Sequence, residues 1–223
     1  MKVTSPRTAV VAALQRYAPG VLVLLRARHL LSHSASYLRQ TGYLRSLHHN
    51  LPVDSEGRPL PFINYPMAEL LRERLPRTAH VFEYGSGYST VFFLSLAASV
   101  TAVEHDPAWH ARTAELTAGQ AGLTLLHREG ENYPAAIEES SALYDLVFVD
   151  GRQRIKCAEA ALRRLSPAGV LLWDDSDRPR YQPGLDFLKG RGFRIIRIGG
   201  LKPAGLERAE SAICYRDANC LGL

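Results

Sequence analysis

Cysteine is scarce in this 223-residue chain: three residues, Cys157, Cys214 and Cys220, that have no metal-like spacing and cannot all pair. That argues against a disulfide scaffold or a zinc cluster and fits a reduced compartment, so a cytoplasmic setting is expected. Cys157 falls on an expected helix and Cys214 on an expected strand, and both read as buried thiols. A membrane-spanning run is also missing. The apolar stretch from Ala9 to Leu31 is broken by Gln15, Arg16, Pro19, Gly20, Arg26 and Arg28, where a spanning helix needs ~20 mostly apolar residues in a row. As a secretory leader its Thr8–Leu14 core is short, and no small-residue cleavage site follows cleanly. Peripheral contact with a membrane surface stays open as the less favoured reading. Repeats and low-complexity tracts are absent. Acidic residues are nearly missing from residues 1–58, where Lys2, Arg7, Arg16, Arg26, Arg28, Arg39, Arg45 and Arg58 face only Asp54 and Glu56. Eight basic against two acidic residues leave +6 there, so the remainder is close to neutral within a total of +5. No basic run interleaved with aromatics accompanies that charge, which argues against a dedicated nucleic-acid site.

What is present is an ordinary globular composition, 46% apolar and 22% charged, in a chain long enough for one substantial core. Residues 1–50 read as two or three helices split at Pro19-Gly20, the second running from about Val21 to His48. A turn-rich stretch from Leu51 to Pro61 then leads into the main domain. Tyr37-Leu38, Tyr43-Leu44 and Leu47 recur at helical spacing, a stripe too small to form its own core. Residues 1–58 are therefore expected to be a lid or an oligomerisation arm on a domain spanning 59–223, with a homodimer through these helices as one possibility. From Met67 onward helices alternate with apolar strands near 80–84, 100–104, 123–127, 145–150 and 169–174. That alternation implies a parallel sheet covered on both faces. Asp106 before Pro107 predicts a capped helix start. A helix is expected over 154–166, ended by Ser166-Pro167-Ala168-Gly169. Two last strands are expected near 193–198 and 209–215.

The chemistry concentrates where apolar runs end in acids. Val81-Phe82-Glu83-Tyr84-Gly85-Ser86-Gly87-Tyr88-Ser89-Thr90 reads as strand, tight turn and helix. Glycine at 85 and 87 permits a sharp turn and close approach of a ligand, and the helix behind it offers free N–H groups. The next apolar run ends at Glu104, placed to take two ribose hydroxyls. A nucleoside-containing cofactor is implied. A dinucleotide fingerprint would have a third glycine where Thr90 stands. Glu83, Asp150, Asp174 and Asp175 would also crowd a pyrophosphate: two like charges ~6 Å apart repel by roughly 3 kcal/mol at an effective dielectric of ~20. The acids favour a cationic cofactor, S-adenosylmethionine, over NAD.

Glu83-Tyr-Gly-Ser-Gly, Glu104 and Tyr144-Asp-Leu-Val-Phe-Val-Asp150-Gly resemble the motifs of class I S-adenosylmethionine-dependent methyltransferases. Asp150-Gly-Arg-Gln-Arg with Gly169-Val-Leu-Leu-Trp-Asp174-Asp175 is similar to a bacterial FkbM-like branch. The resemblance covers roughly residues 60–217. It implies a Rossmann-like seven-stranded α/β sheet with helices on both faces, ending in an antiparallel hairpin. It implies that Glu83, Gly85, Gly87, Ser89 and Asp150 surround the methionine part of the cofactor, that Glu104 holds the ribose, and that His105 and Glu129 lie by the adenine. Asp150 and Asp174 are the expected catalytic residues toward a small-molecule or sugar-containing acceptor, most simply methylated on oxygen, with Tyr65, Tyr88 and Tyr181 as candidate pocket walls. Arg152, Arg154, Arg178 and Arg180 flank the crevice, as an anion clamp or as solvated side chains. Metal-dependent catechol-type relatives carry Asp, Asp, Asn where this chain has Asp150, Asp174 and Asp175, so no metal is expected. A binding module that has lost catalysis, or an oxidoreductase, are the competing readings.

Overall fold

A computed structural model describes residues 6–223; Lys2, counted in the basic segment, lies outside them. Seven strands form one sheet: β1 (His80–Tyr84), β2 (Ser99–Glu104), β3 (Leu123–His127), β4 (Tyr144–Val149), β5 (Leu165–Asp174), β6 (Arg194–Leu201) and β7 (Arg208–Tyr215). Their order is β3-β2-β1-β4-β5-β7-β6. β1 to β5 run parallel, and β7 lies antiparallel between β5 and β6. This is the Rossmann-like methyltransferase sheet expected from the sequence, closing hairpin included.

Alternation along the central strands supplies both faces. Val81, Val100, Ala102, Leu146, Phe148, Val170 and Leu172 pack to one side, with α5 (Tyr65–Arg74) and α6 (Tyr88–Leu94). Phe82, Tyr84, Val103, Val147, Val149, Leu171 and Trp173 pack to the other, under the short α8 (Asn132–Ala135), α9 (Arg154–Ala161) and α10 (Gln182–Gly190). Fully buried parallel strands read as continuous apolar runs for this reason. Between β2 and β3, α7 (Pro107–Leu116) begins as its sequence predicts, with the Asp106 carboxylate accepting from the N–H groups of Ala108 and Trp109.

Two expected helices are corrected. The helix over 154–166 stops at Ala161, and Ser166-Pro167-Ala168-Gly169 lie inside β5. β5 pairs with β4 from Leu165, and a bulge at Tyr144/Leu146 accommodates the register shift. At Gly169 an added Cβ would come within 2.8 Å of the Tyr144 carbonyl, so the close strand approach needs glycine. The single helix from Val21 to His48 is three: α2 (Pro19–Ser32), α3 (Tyr37–Gln40) and α4 (Tyr43–His49), preceded by α1 (Pro6–Tyr17). Ser36 caps α3 through the N–H of Arg39. Gly42, at φ +81°, turns the chain into α4 so tightly that a Cβ would strike the Asp54 main chain.

The apolar stripe divides accordingly. Tyr43 is buried in the main core, with Leu38 and Leu44 against it, and its hydroxyl donates to the Gly205 carbonyl at 2.8 Å. Ser46, wholly buried, donates to the Val53 carbonyl and accepts from the Val53 N–H. Tyr37 and Leu47 stay exposed, as do most large apolar residues of α1 and α2. Among the described residues, no helix is long and apolar enough to cross a membrane.

Candidate cofactor and acceptor site

Strand order reverses between β1 and β4, and in open α/β sheets that switch point opens a crevice at the carboxyl ends of the strands. A cavity of about 610 Å³ lies there, lined by Glu83, Gly85, Ser86, Tyr88, Ser89, Glu104, His105 and Asp150 among others. The turn after β1 needs its glycines: Gly85 has φ +93° and Gly87 φ +145°, and a Cβ on Gly87 would lie 3.2 Å from the Trp109 ring.

Glu83 is fully buried and accepts from the hydroxyls of Ser89 and Thr90. Burial raises its pKa to about 8, against those two hydrogen bonds, so the group holds a proton at neutral pH. Thr90, which occupies the third-glycine position, also accepts from the Gly87 N–H at 2.9 Å, closing the first turn of α6. Glu104 is fixed by main-chain donors: Oε1 accepts from His105 and Asp106 at 2.8 and 2.9 Å, and Oε2 from Ser86 at 3.0 Å. His105 lines the same cavity with Nδ1 2.8 Å from Glu104 Oε1, and its Nε2 accepts from Arg152. Asp150, at the end of β4, pairs with Arg154 at 2.7 Å. Burial and the neighbouring Asp174 push its pKa up, against Arg154 and Lys202.

Asp174 stands elsewhere than the sequence suggests. It is buried behind the cavity and does not line it, accepting from Lys202 at 2.8 Å and Ser211 at 2.7 Å. Glu129 is not brought to the cavity either; its side chain is 66% exposed and faces His127 at 3.4 Å. Of the candidate tyrosine walls, Tyr88 lines the cavity, Tyr65 is buried in the core, and Tyr181 belongs to a neighbouring cavity.

Carboxylate oxygens of Asp150, Asp174 and Asp175 lie within 4.8 Å of one another, close enough in principle for a metal. Two cations already fill that space. Lys202 Nζ is 2.8 Å from Asp174 and 2.9 Å from Asp175. Arg154 reaches Asp150 and, at 3.4 Å, Asp175. Arg178 holds Asp175 from outside at 2.8 Å. The residues present do not fit a divalent ion.

They do fit S-adenosylmethionine: the volume suits a ligand of that size, and the glycine turn, Glu83, Glu104 and Asp150 share one cavity. The Tyr133 hydroxyl is buried without a protein partner and packs so tightly on Gly151 that a Cβ there would meet it at 1.8 Å. Trp109, Arg112, Phe62 and Asn50 also line the cavity, and sequence reasoning missed them. Trp109 and Arg112 carried a signal, being one turn apart on a capped helix beside Glu104. Leu51 and Pro52 line it too; they belong to the linker from Leu51 to Pro61, which the lid reading brings to this edge of the sheet.

Fold and cavity together define a class I, Rossmann-like methyltransferase architecture. Residues 82–176 match the family described as a methyltransferase domain. Over that segment the chain is similar to methyltransferase domains, and its sheet has the Rossmann-like fold of S-adenosylmethionine-dependent methyltransferases. Similar folds include an rRNA methylase from Streptococcus thermophilus, at 17% identity and TM-score 0.55 over 70% of this chain and 99% of that one. The N-methyltransferase NodS from Bradyrhizobium japonicum, in complex with S-adenosyl-L-homocysteine, is 15% identical over 79% of this chain and 98% of that one, with TM-score 0.51. A putative methyltransferase from Streptococcus mutans, also a complex with that product, is 15% identical over 66% and 94%, with TM-score 0.51. No curated protein matches.

Proposed function

We propose that the protein methylates an oxygen of a small-molecule acceptor and that Asp150 is the base. When bound, S-adenosylmethionine supplies a methyl group already activated by the sulfonium, so the protein contributes chiefly orientation and a proton acceptor. The observation that carries this reading is the convergence of Glu83, Glu104 and Asp150 from three adjacent strands on one cavity. Glu104, held by three main-chain N–H groups, is the ribose ligand. Glu83, with Ser89, faces the methionine end. Glu83 and Asp150 both have a raised proton affinity at the cavity, the property a hydroxyl acceptor requires of a base, but both Glu83 oxygens are engaged by Ser89 and Thr90, which leaves Asp150. Asp174 acts through it as a positioning residue, since its charge raises Asp150 while Lys202 and Ser211 hold it in place. Asn50, Leu51 and Pro52 line the cavity, which supports the reading of the segment around them as a lid beside the crevice. Placement in an FkbM-like branch rests on the Asp150-Gly-Arg and Asp174-Asp175 motifs alone.

Release of S-adenosylhomocysteine across pools of hydroxyl and amine acceptors tests the assignment. Hydroxyl compounds should turn over, and Asp150→Asn should lower kcat at least ~100-fold, within the range for a lost general base. Turnover of amines alone, or an Asp150→Asn enzyme at full rate, sinks it. Calorimetry with NAD in place of S-adenosylhomocysteine tests the oxidoreductase alternative.

A further inference from the structure

A second cavity, of about 530 Å³, adjoins the first and shares Gly151 and Arg152 with it. Its charged lining is Arg152, Arg154, Lys156, Arg178 and Arg180, with no acidic residue. Three of these are spoken for. Arg154 and Arg178, with Lys202, balance Asp150, Asp174 and Asp175 charge for charge. Lys156 pairs with Glu131 at 2.7 Å. Among the described residues, Arg152 and Arg180 have no carboxylate partner: Arg152 donates to the His105 ring, and Arg180 stacks on Tyr181 at 4.9 Å. Arg154 stacks on the same ring at 5.0 Å, which fixes Tyr181 as part of the wall. Two uncompensated guanidinium groups in a concave site recognise an oxyanion, because each presents a planar fork of donors.

Resting on the methyltransferase reading above, we propose that this cavity is the acceptor site and that the acceptor carries a phosphate or carboxylate group held by Arg152 and Arg180. Its reacting hydroxyl then lies past Gly151, at Asp150. The test is calorimetric, with the wild type saturated in S-adenosylhomocysteine and titrated with inorganic pyrophosphate or with citrate, which separates the two sources of anion. At least one should bind. Arg180→Gln should weaken it at least fivefold and Arg180→Lys less, while Arg191→Gln, which removes the same charge from a residue lining neither cavity, should not. Absence of anion binding, or equal loss in the Arg180 and Arg191 variants, overturns the proposal. Failure of S-adenosylhomocysteine itself to bind would instead overturn the cofactor reading.

A different observation concerns α1 and α2. They pack on each other, and between them lies an apolar groove of about 1020 Å³ lined by Val10, Leu14, Leu22, Val23 and Leu25. Val23, Leu24, Leu30 and Leu31 are exposed. Neither helix contains an Asp or Glu, and Arg16 of α1 and Arg26 and Arg28 of α2 are exposed. A second copy would meet this cationic face with the same charge. An anionic bilayer meets it with the opposite one, and a 14-residue helix, ~21 Å long, lies along a bilayer rather than through its ~30 Å core. We infer that the α1–α2 hairpin docks on anionic lipid. Full-length protein should co-sediment with phosphatidylglycerol-containing vesicles, but not with pure phosphatidylcholine, and less in high salt. Leu24→Glu/Leu31→Glu should abolish sedimentation. A protein that ignores both vesicle types, or that forms a dimer dissociated by the same substitutions, overturns the inference.

Discussion

A carboxyl group buried at the end of a parallel strand ionises only at a cost, and Glu83 is placed where that cost couples to ligand charge. The folded protein holds its proton up to about pH 8, whereas the ordinary value is 4.5. Unfolding between those limits releases a proton, so this residue makes the fold less stable as pH rises from about 4.5 to 8, and the penalty is complete above that. Glu83→Gln keeps an acceptor and a donor toward Ser89 and Thr90 and cannot ionise. Its Tm relative to wild type should therefore climb between pH 5.5 and 8.5. A cofactor ammonium nearby favours the ionised acid, so S-adenosylhomocysteine should bind wild type more tightly as pH rises toward 8. The variant should bind with a flatter profile. Parallel melts and titrations at three pH values decide this, and identical pH slopes in both proteins would count against a protonated Glu83.

At the scale of elements, the loop between β6 and β7 delivers Lys202 across the sheet to the end of β5. This ammonium is largely buried, and Asp174 and Asp175 hold its proton more firmly than usual, against the pull of burial. Removing one partner of such a buried pair costs ~3–5 kcal/mol. Lys202→Met should therefore lower stability by about that amount, measured by denaturant unfolding. Added Mn²⁺ should restore part of the loss in the variant and leave wild-type Tm unchanged. A wild type stabilised by Mn²⁺ would show that the cations do not fill the site. Lys202 also marks the limit of what the sequence makes legible. Strand ends were readable because buried parallel strands are apolar runs and their terminal acids stand out, which located Glu83, Glu104, Asp150 and Asp174. That Asp174 is neutralised behind the cavity depends on a lysine 28 residues away, a pairing no local pattern encodes. The breaks at Ser32–Ser36 and Gly42 were hidden for a related reason: the apolar spacing continues across both turns, and only the contact of Gly42 with Asp54 fixes the second.

Over the whole molecule, the boundary suggested by charge, near residue 58, differs from the one drawn by packing. Leu38, Tyr43 and Leu44 join the cluster that contains Leu60, Met67 and Phe148, and buried Ser46 ties α4 to Val53. Among the described residues no comparable burial joins α1–α2 to the sheet; Leu22 is the one buried apolar residue of α2. Two deletions should therefore behave differently. Loss of residues 1–32 removes apolar surface that is already exposed, and should leave Tm within a few degrees of wild type with S-adenosylhomocysteine affinity intact. Loss of residues 1–50 strips Tyr43 and its neighbours from the core, where each large side chain contributes ~1.5–3 kcal/mol, and takes Asn50 from the cavity wall. That protein should lose several kcal/mol in urea unfolding and bind S-adenosylhomocysteine more weakly. If both truncations unfold at the same urea midpoint as the full chain, α3 and α4 contribute nothing to the core. If both lose equally, the hairpin is part of the folded body.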